Sequence, residues 1–316
     1  MGEFELIRQY FQPLADSAMT DQLVLGPGDD CAIQRIPVGR DLVFSVDTLV
    51  EGVHFPLNYS SCYLGWRALA VAVSDLAAMG AEPVCFTLAL TLPEASSDWL
   101  SGFAEGLSKA SRAFGIALAG GDTTRGPLTI SIQVHGTVAE GAAIQRSGAR
   151  PGDLICVTGP LGAAGAALAF LDDPEPSPLA QAMLVRYHSP EPRLELGQQL
   201  VGKASAAIDI SDGLLADLQH ILEASSVGAE LQAGTIPMMP ELVQLHGDQS
   251  LNLALTAGDD YELCVTIAPE VLKRLAPDIQ AQLVVVGQVV KTPGLSLIGA
   301  DLTGMPPGFD HFGRLV

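Results

Sequence analysis

Apolar and polar positions along the chain follow two periods, one typical of helices and the other typical of strands. Helical patterns cover residues 3–12, 64–83 and 99–114; the second ends at Gly80 and Pro83, and Ser97 or Asp98 is the expected N-cap of the third. Strand patterns, either alternating or continuously apolar, cover residues 42–50, 84–92, 128–138, 206–210, 261–267 and 283–290. This succession predicts an α/β protein with a large core.

A segment without periodicity divides the pattern into two halves. Residues 146–153 (RSGARPGD) collect glycine, proline and charge, so we place a boundary there between domains 1–150 and 151–316. The second half opens as a strand, a glycine turn and a helix (LICVTGP, then LGAAGAALAFL). The turn lacks the Lys-Ser/Thr of a P-loop, which favours helix packing over phosphate binding. Residues 172–178 (DDPEPSP) are expected to be an exposed connection.

Charge excludes several classes of function. The net charge is −20, with 36 acidic and 16 basic residues and no basic patch, which argues against binding to nucleic acid or to an anionic membrane. No apolar run is long enough to cross a bilayer. The five cysteines form no CxxC pair, which favours reduced thiols and a cytoplasmic location, and Cys31 is expected to be a small buried residue.

Asp75 is the exceptional residue of the longest apolar helix pattern. Its neighbours at helical spacing are apolar, so its carboxylate is predicted to emerge from a buried face, with no Lys or Arg within a turn of it. A core Asp that is protonated or hydrogen-bonded to backbone would also fit this position. A buried and unpaired carboxylate is too costly to keep, so Asp75 needs a partner.

Five further segments place carboxylates in glycine turns or at strand ends. They are GPGDD (26–30), SVD (45–47), GGDTTRG (120–126), DISDG (209–213) and AGDDYEL (257–263). Each is compatible with ordinary turn chemistry, and Asp212 is also a candidate N-cap. Together, many acids with few cations indicate several Mg²⁺ ions that hold phosphates, whereas the EF-hand pattern of a calcium loop is absent. Arg125 or Arg146 is a candidate phosphate clamp, and His54 lies just after SVDTLV.

In this order the motifs resemble those of the thiamine-monophosphate kinase family. The match runs from GPGDDCA and SVDTLVEGVHF through SDLAAMGAEP, GGDTTRGP and RSGARPGD to DISDGLLADL, GDDYELC and the GFDHF tail. The resemblance implies a two-domain α/β synthetase-like fold. Its N-terminal mixed sheet would form a β-barrel across a homodimer, and its C-terminal α/β domain would close the active-site cleft. It also implies ATP-dependent phosphorylation of thiamine monophosphate to thiamine diphosphate with several Mg²⁺ ions.

The resemblance implies a role for individual residues. The metal ligands would be Asp30, Ser45, Asp47, Asp75, Asp122, Asp209 and Asp212. ATP would contact Gly121, Asp122, Arg146 and Ser211. The thiamine end would contact His54, Asp260, Glu262 and Phe309. The catalytic set would be Asp30, Asp47, Asp75, Asp122 and Arg146.

Three positions depart from the family pattern. Val46 replaces a common Thr, Asp259 replaces the more usual Glu, and Phe309 replaces Tyr or Trp. Two other interpretations of the sequence stay open. One is another ATP-dependent synthetase of the same superfamily, and the other is a metal- or nucleotide-binding module without catalysis.

Overall fold

The computed structural model describes residues 3–17 and 20–302, and the chain divides into two compact units. The first unit comprises Met1–Leu76 and Ala81–Ala143, and the second comprises Ala77–Gly80 and Ile144–Val316. Each unit has its own sheet with helices packed against it. The chain therefore has the two-part α/β organisation with mixed sheets that the sequence predicts.

The first unit contains four α-helices among its described residues and six strands. The helices are α1 (Glu3–Leu6), α2 (Gln12–Ser17), α3 (Ser61–Ala78, whose last two residues belong to the second unit) and α4 (Ser97–Phe114), with a π-helical turn over Ile7–Phe11. The strands are β1 (Leu23–Leu25), β2 (Ile33–Gln34), β3 (Arg40–Val50), β4 (Glu82–Leu92), β5 (Ala117–Arg125) and β6 (Thr129–Ala139). Strands β1 and β2 form a hairpin, and the other four form a mixed sheet in the order β3-β6-β4-β5, in which only β4 and β5 are parallel.

The two faces of this four-stranded sheet differ in burial. On β3, Val43 and Leu49 are buried, whereas Phe44 is 62% and Val46 is 61% exposed. Successive side chains of a strand point to opposite faces, so the helices cover one face and the other face is open to solvent. The covered face carries the apolar residues Phe86, Leu88, Ile130, Ile132 and Val134.

Helices α3 and α4 approach each other through glycines. A Cβ at Gly106 would lie 1.9 Å from the carbonyl oxygen of Cys62, and a Cβ at Gly65 would lie 2.2 Å from that of Phe103. Glycine is therefore required where the two backbones meet. The expected N-cap of α4 is wrong: the Ser96 side chain accepts a hydrogen bond from the Trp99 amide, one residue before the earlier of the two candidates.

The second unit contains eight α-helices among its described residues and six strands. The helices are α5 (Ala163–Ala167), α6 (Pro178–His188), α7 (Leu194–Leu200), α8 (Leu214–Ser225), α9 (Pro240–His246), α10 (Ser250–Thr256), α11 (Pro269–Leu272) and α12 (Pro277–Gln280). The strands are β7 (Leu154–Val157), β8 (Ala206–Asp209), β9 (Gly228–Gln232), β10 (Leu263–Ile267), β11 (Val284–Val290) and β12 (Gly294–Ile298). They form one sheet in the order β12-β9-β11-β7-β10-β8, in which only β12 and β9 are parallel.

Apolar side chains bury both faces of this six-stranded sheet. One core joins Ile155, Val157 and Cys264 of the sheet to helix α8, and the other joins Cys156 and Val265 to helix α7. Strands covered on both faces are continuously apolar, which is why the segments at 154–157 and 263–267 do not alternate. Helix α6 was not expected from the sequence, because it begins at Pro178, directly after the proline-rich connection.

Two expectations about composition meet the structure directly. Within the described residues, no helix is both long enough and apolar enough to cross a membrane. All five cysteines are free, as expected, but Cys31 is exposed and the expectation that it is buried is wrong. It follows a glycine turn whose aspartates keep the segment at the surface.

Replacing Gly106 by Ala tests the helix contact. A helical Gly→Ala change usually gains about 1 kcal/mol from propensity, but the new Cβ would overlap the Cys62 carbonyl and force the helices apart. We expect a net loss of about 2 kcal/mol in the free energy of unfolding, measured by denaturant titration. The control is Gly120→Ala, where the added Cβ has no neighbour within 4 Å. Equal stability of the two variants would contradict the prediction.

Candidate active site

Strand β3 and helix α3 bring three oxygen-bearing side chains together. The hydroxyl of Ser45 donates a hydrogen bond to a carboxylate oxygen of Asp75. Asp47 lies two residues after Ser45 and so projects from the same, helix-covered face of the sheet. Asp75 is partly exposed, although its helical neighbours Val71 and Ala72 are buried. The structure therefore agrees with the prediction that this carboxylate emerges from a mostly buried helix face.

The electrostatics of this group favour a bound cation. Burial, and next the negative charge of Asp75, raise the pKa of Asp47 to about 7. Both effects oppose the presence of two ionised carboxylates, and a divalent cation would offset both. Two carboxylates and a hydroxyl are hard oxygen donors of the kind that Mg²⁺ prefers, so the residues fit the ion that the resemblance implies.

The structure does not bring Asp122 into this group. Strand pairing puts Asp122 in one row across the sheet with Ala89, Ser131 and Thr48. This row is next to the row that contains Asp47, so its side chains point to the opposite, open face of the sheet. Asp30 is also exposed, and its amide donates to a carboxylate oxygen of Asp29 at 2.8 Å. Among the described residues, no three His, Cys, Asp or Glu side chains are close enough to hold a metal ion.

The GGDTTRG segment is a strand, so its prediction as a turn is wrong. Residues 117–125 pair with β4 as the edge strand β5. A Cβ at Gly121 would lie 2.0 Å from the carbonyl oxygen of Leu88. Close strand pairing is therefore a physical reason for glycine at position 121, independent of any nucleotide.

His54 is oriented by the backbone of the preceding strand. The amide of Val50 donates to its Nδ1 at 2.9 Å, so the neutral ring carries its proton on Nε2. Beside it Phe55 is buried, and its ring centroid lies 6.2 Å from that of Tyr59, which in turn lies 6.4 Å from that of Tyr63. Sequence reasoning missed these tyrosines; Tyr63 lies in the first turn of α3, whereas Phe55 and Tyr59 precede that helix.

In the second unit, the DISDG turn depends on an aspartate that the sequence reasoning did not single out. Asp217 accepts hydrogen bonds from the amides of Ser211, Asp212 and Gly213 at 3.0, 3.0 and 3.1 Å. Burial raises its pKa to about 7, while these amides act in the opposite direction. Gly213 occupies the N-cap position of α8, so the alternative role of Asp212 as N-cap is wrong. Asp209 ends β8 and is buried.

The carboxylates of AGDDYEL have partners inside the protein. Asp260 is buried and accepts from the Gly162 amide at 2.7 Å, and burial raises its pKa well above the usual value. Glu262 is 1% exposed and forms ion pairs with Arg186 and Arg193. Sequence reasoning missed both arginines; the signal was RYHSPEPR, in which two basic residues flank a proline-containing turn.

The remaining predicted residues are Arg146, Ser211 and Phe309. Arg146 is exposed, and its carbonyl accepts from the Ser225 hydroxyl at 3.3 Å. The carbonyl of Ser211 accepts from the Asp259 amide at 2.9 Å. Phe309 lies outside the described residues.

Replacing Asp217 by Asn tests the support of the DISDG turn. The Asn side chain keeps one oxygen acceptor but loses the charge and presents an amide group toward backbone N–H donors. We expect a loss of about 2–3 kcal/mol in the free energy of unfolding, as for buried donors left without a partner. Denaturant titration measures it, with the exposed Asp248→Asn as control. Equal effects of the two changes would show that Asp217 does not support the turn.

Comparison with known proteins assigns both parts of the chain. The AIR synthase related protein N-terminal domain matches residues 28–138, and the AIR synthase related protein C-terminal domain matches residues 150–300. The thiamine-monophosphate kinase of Salmonella typhimurium is 43% identical, with 98% of both chains covered. That of Bacillus subtilis is 34% identical, with 99% of this chain and 100% of its own length covered.

Solved structures give the same result. The crystal structure of thiamine-monophosphate kinase from Stenotrophomonas maltophilia K279a has a TM-score of 0.86 at 40% identity and covers 95% of this chain and 97% of its own. A structure of AaThiL complexed with AMPPCP and TMP has a TM-score of 0.80 at 30% identity and covers 98% of this chain and 97% of its own. The chain therefore belongs to the thiamine-monophosphate kinase family of AIR synthase related proteins.

Proposed function

We propose that this protein transfers the γ-phosphoryl group of ATP to thiamine monophosphate and so forms thiamine diphosphate. The observation that carries the proposal is similarity over nearly the whole chain to thiamine-monophosphate kinases and to a structure that holds AMPPCP and TMP. The carboxylates and hydroxyl of Ser45, Asp47 and Asp75 add local support, because phosphoryl transfer depends on cations held by such groups. We place the reaction in the cytoplasm, a setting that suits five free thiols.

The chemistry explains why the proposed site needs carboxylates and no general base. The acceptor is a phosphate monoester, whose second pKa of about 6 makes it mostly an ionised nucleophile at pH 7. The barrier comes from bringing two anions together in line. Mg²⁺ ions, when bound, supply the positive charge that lets ATP and the acceptor approach. The carboxylates of this chain would hold those ions and fix their position.

The residue roles form part of the proposal. In the first unit, Asp30, Ser45, Asp47, Asp75 and Asp122 would hold magnesium, and in the second unit Asp209 and Asp212 would do so. Gly121, Asp122, Arg146 and Ser211 would bind ATP. The exposed guanidinium of Arg146 suits a phosphate contact. Asp30, Asp47, Asp75, Asp122 and Arg146 make up the proposed catalytic set.

His54 and Phe309 are the proposed contacts of the thiamine end, together with the turn that holds Asp260 and Glu262. The Val50 amide donates to Nδ1 of His54 and so orients the ring that we propose to contact the substrate. Asp260 and Glu262 are buried and bonded internally, so we propose that their part in binding is exerted through the position of their turn.

The transfer is direct in this proposal. A phosphate oxygen of thiamine monophosphate forms a bond to the γ-phosphorus while the bond to the bridging oxygen breaks, and the electron pair leaves with ADP. No residue of the chain carries the phosphoryl group.

We further propose that the protein is a homodimer whose subunits join through the open face of the four-stranded sheet. Phe44 and Val46 stand side by side along β3 on this face and are 62% and 61% exposed. When two such faces from identical chains pack together, these apolar side chains would be buried between the two sheets. This arrangement would give the barrel that the family resemblance implies. Exposed apolar patches of this kind mark interaction surfaces.

The proposed activity has a direct test. Purified protein with ATP, Mg²⁺ and thiamine monophosphate should yield ADP and thiamine diphosphate, and a chiral γ-phosphate should be transferred with inversion. When an amidine substrate of the related synthetases replaces thiamine monophosphate, the protein should form no ADP from ATP. Net retention at phosphorus would contradict direct transfer. Formation of ADP with the amidine and not with thiamine monophosphate would favour a synthetase.

Asp75→Asn tests the metal-binding carboxylates. The Asn side chain can still accept from Ser45, so the fold should persist, but the lost charge should lower kcat by about 100-fold or more, as when an electrostatic stabiliser is removed. The readouts are kcat and the far-UV circular dichroism melting curve. The control is Asp98→Asn, in the exposed first turn of α4. Near-normal kcat in the Asp75 variant would remove this residue from the site.

Phe44→Glu tests the dimer. A charge on the open face at Phe44 should separate the subunits without unfolding them, because this side chain is exposed within one chain. Analytical ultracentrifugation should find a dimer for the wild type and a monomer for the variant. Val38→Glu is the matched control, since Val38 is fully exposed in a loop of the same unit. A monomeric wild type, or a dimeric Phe44 variant, would refute the interface.

A further inference from the structure

Two arginines from different helices hold one buried carboxylate in the second unit. Arg193, at the start of α7, donates to Glu262 through Nε at 2.6 Å and Nη2 at 2.5 Å, and Arg186, in the last turn of α6, donates through Nη2 at 2.7 Å. The hydroxyl of Thr158 donates to the same carboxylate at 2.7 Å. A bidentate arginine fixes the plane of a carboxylate as well as its charge.

The space around this carboxylate is filled. Glu262 is 1% exposed, and a Cβ at Gly159 would lie 2.3 Å from its Oε1. The amide of Leu263 donates to the Thr158 hydroxyl at 2.8 Å, which ties the start of β10 to the residue after β7. Glu262 therefore has a single orientation. Its partners are Arg186 in α6, Arg193 at the N-cap of α7 and Thr158 directly after β7.

Residues 258–262, the turn that ends at Glu262, have a strained backbone and form hydrogen bonds with the DISDG turn. Asp259 and Tyr261 have φ values of 69° and 51°, in the left-handed region that favours glycine. Their amides donate to the carbonyls of Ser211 and Ile210 at 2.9 and 2.8 Å, and the Ile210 amide donates to the Glu262 carbonyl at 2.7 Å. Strain of this kind persists only where the surroundings hold it.

We propose that Arg186 and Arg193 are positioning residues that hold the 258–262 turn, and through it the 209–213 turn, in the conformation that binds substrate. The inference rests on the proposed function, which places ATP and thiamine monophosphate at these turns. The arginines act through Glu262, since they bond its carboxylate and their side chains are only 25% exposed.

A merely structural ion pair would behave differently. Loss of such a pair would change the free energy of unfolding of the unit as a whole and would not act on particular turns. The cost of burying the charges would offset much of the attraction between them. A positioning role predicts an effect confined to the two turns and to substrate binding. The guanidinium fork also matters in that case, because lysine keeps the charge but cannot make the bidentate contact.

The first experiment measures amide hydrogen exchange in the substrate-free protein. In Arg186→Gln and in the conservative Arg193→Lys, the amides of Asp259 and Tyr261 should exchange about tenfold faster, the size of a typical coupling between contacting charged groups. Amides in the centre of β10 should exchange as in the wild type. Arg274→Gln, an exposed arginine of the same unit, is the matched control and should change neither set.

The second experiment measures kinetics. The KM values for ATP and thiamine monophosphate should rise by about tenfold in both arginine variants, with a smaller change in kcat. Removing both members of the pair in Arg193→Gln with Glu262→Gln should cost less than the sum of the single changes, because the Arg193–Glu262 contact is then lost once and Arg193 is no longer a charge without its carboxylate.

The proposal is overturned if the amides of Asp259 and Tyr261 keep their wild-type exchange rates in both variants. It is also overturned if the amides of β7 and β10 accelerate as much as those of the turn. A variant whose turn amides exchange faster but whose KM values equal those of the wild type would overturn it as well. A wild-type protein that does not phosphorylate thiamine monophosphate would contradict the proposed function alone. The exchange rates are measured without substrate and still decide whether the arginines hold the turns.

Discussion

The placement of negative charge is the constraint on which the rest of this structure depends. With 36 acidic residues and only 16 basic ones, most carboxylates cannot have a cation of their own. Glu262 has two arginines and Asp217 has three backbone amides. Asp47 instead lies close to Asp75, and burial together with the negative charge of Asp75 disfavours the ionised state of Asp47. A cation bound there would offset both the burial and the negative charge that raise the pKa of Asp47.

Backbone packing determines where this pair lies. Helix α3 can approach α4 closely because glycines stand at the contacts, and Gly136 of β6 gives room to Leu76, the residue after Asp75. The position of α3 over the sheet then brings Asp75 to Ser45 on β3. Residues without any chemistry of their own thus set the geometry of the proposed site.

The acidic turns are similar in sequence and differ in role. Asp122 is exposed on an edge strand, whereas Asp260 and Glu262 are buried and have internal partners. The family resemblance assigns all of them to substrate or metal. The hydrogen bonds and ion pairs in the structure divide these carboxylates into two groups. Exposed carboxylates are accessible to a ligand, whereas buried carboxylates hold the backbone of a turn that a ligand would contact. This distinction leads to the role inferred for Arg186 and Arg193.

The sequence by itself determined the α/β class, the long helices and central strands, and the order of the acidic motifs, because period and turn chemistry are local properties. It also indicated that Asp75 emerges from a buried face, since helical spacing places its neighbours. Tertiary structure decided that the segment containing Asp122 is a strand, that Asp217 supports the DISDG turn, and that two distant arginines hold Glu262. The strand and the arginine contacts depend on pairing between residues far apart in the chain, which no local pattern records. The contacts of Asp217 are local, but they depend on its burial beside the turn, which only the packed structure shows.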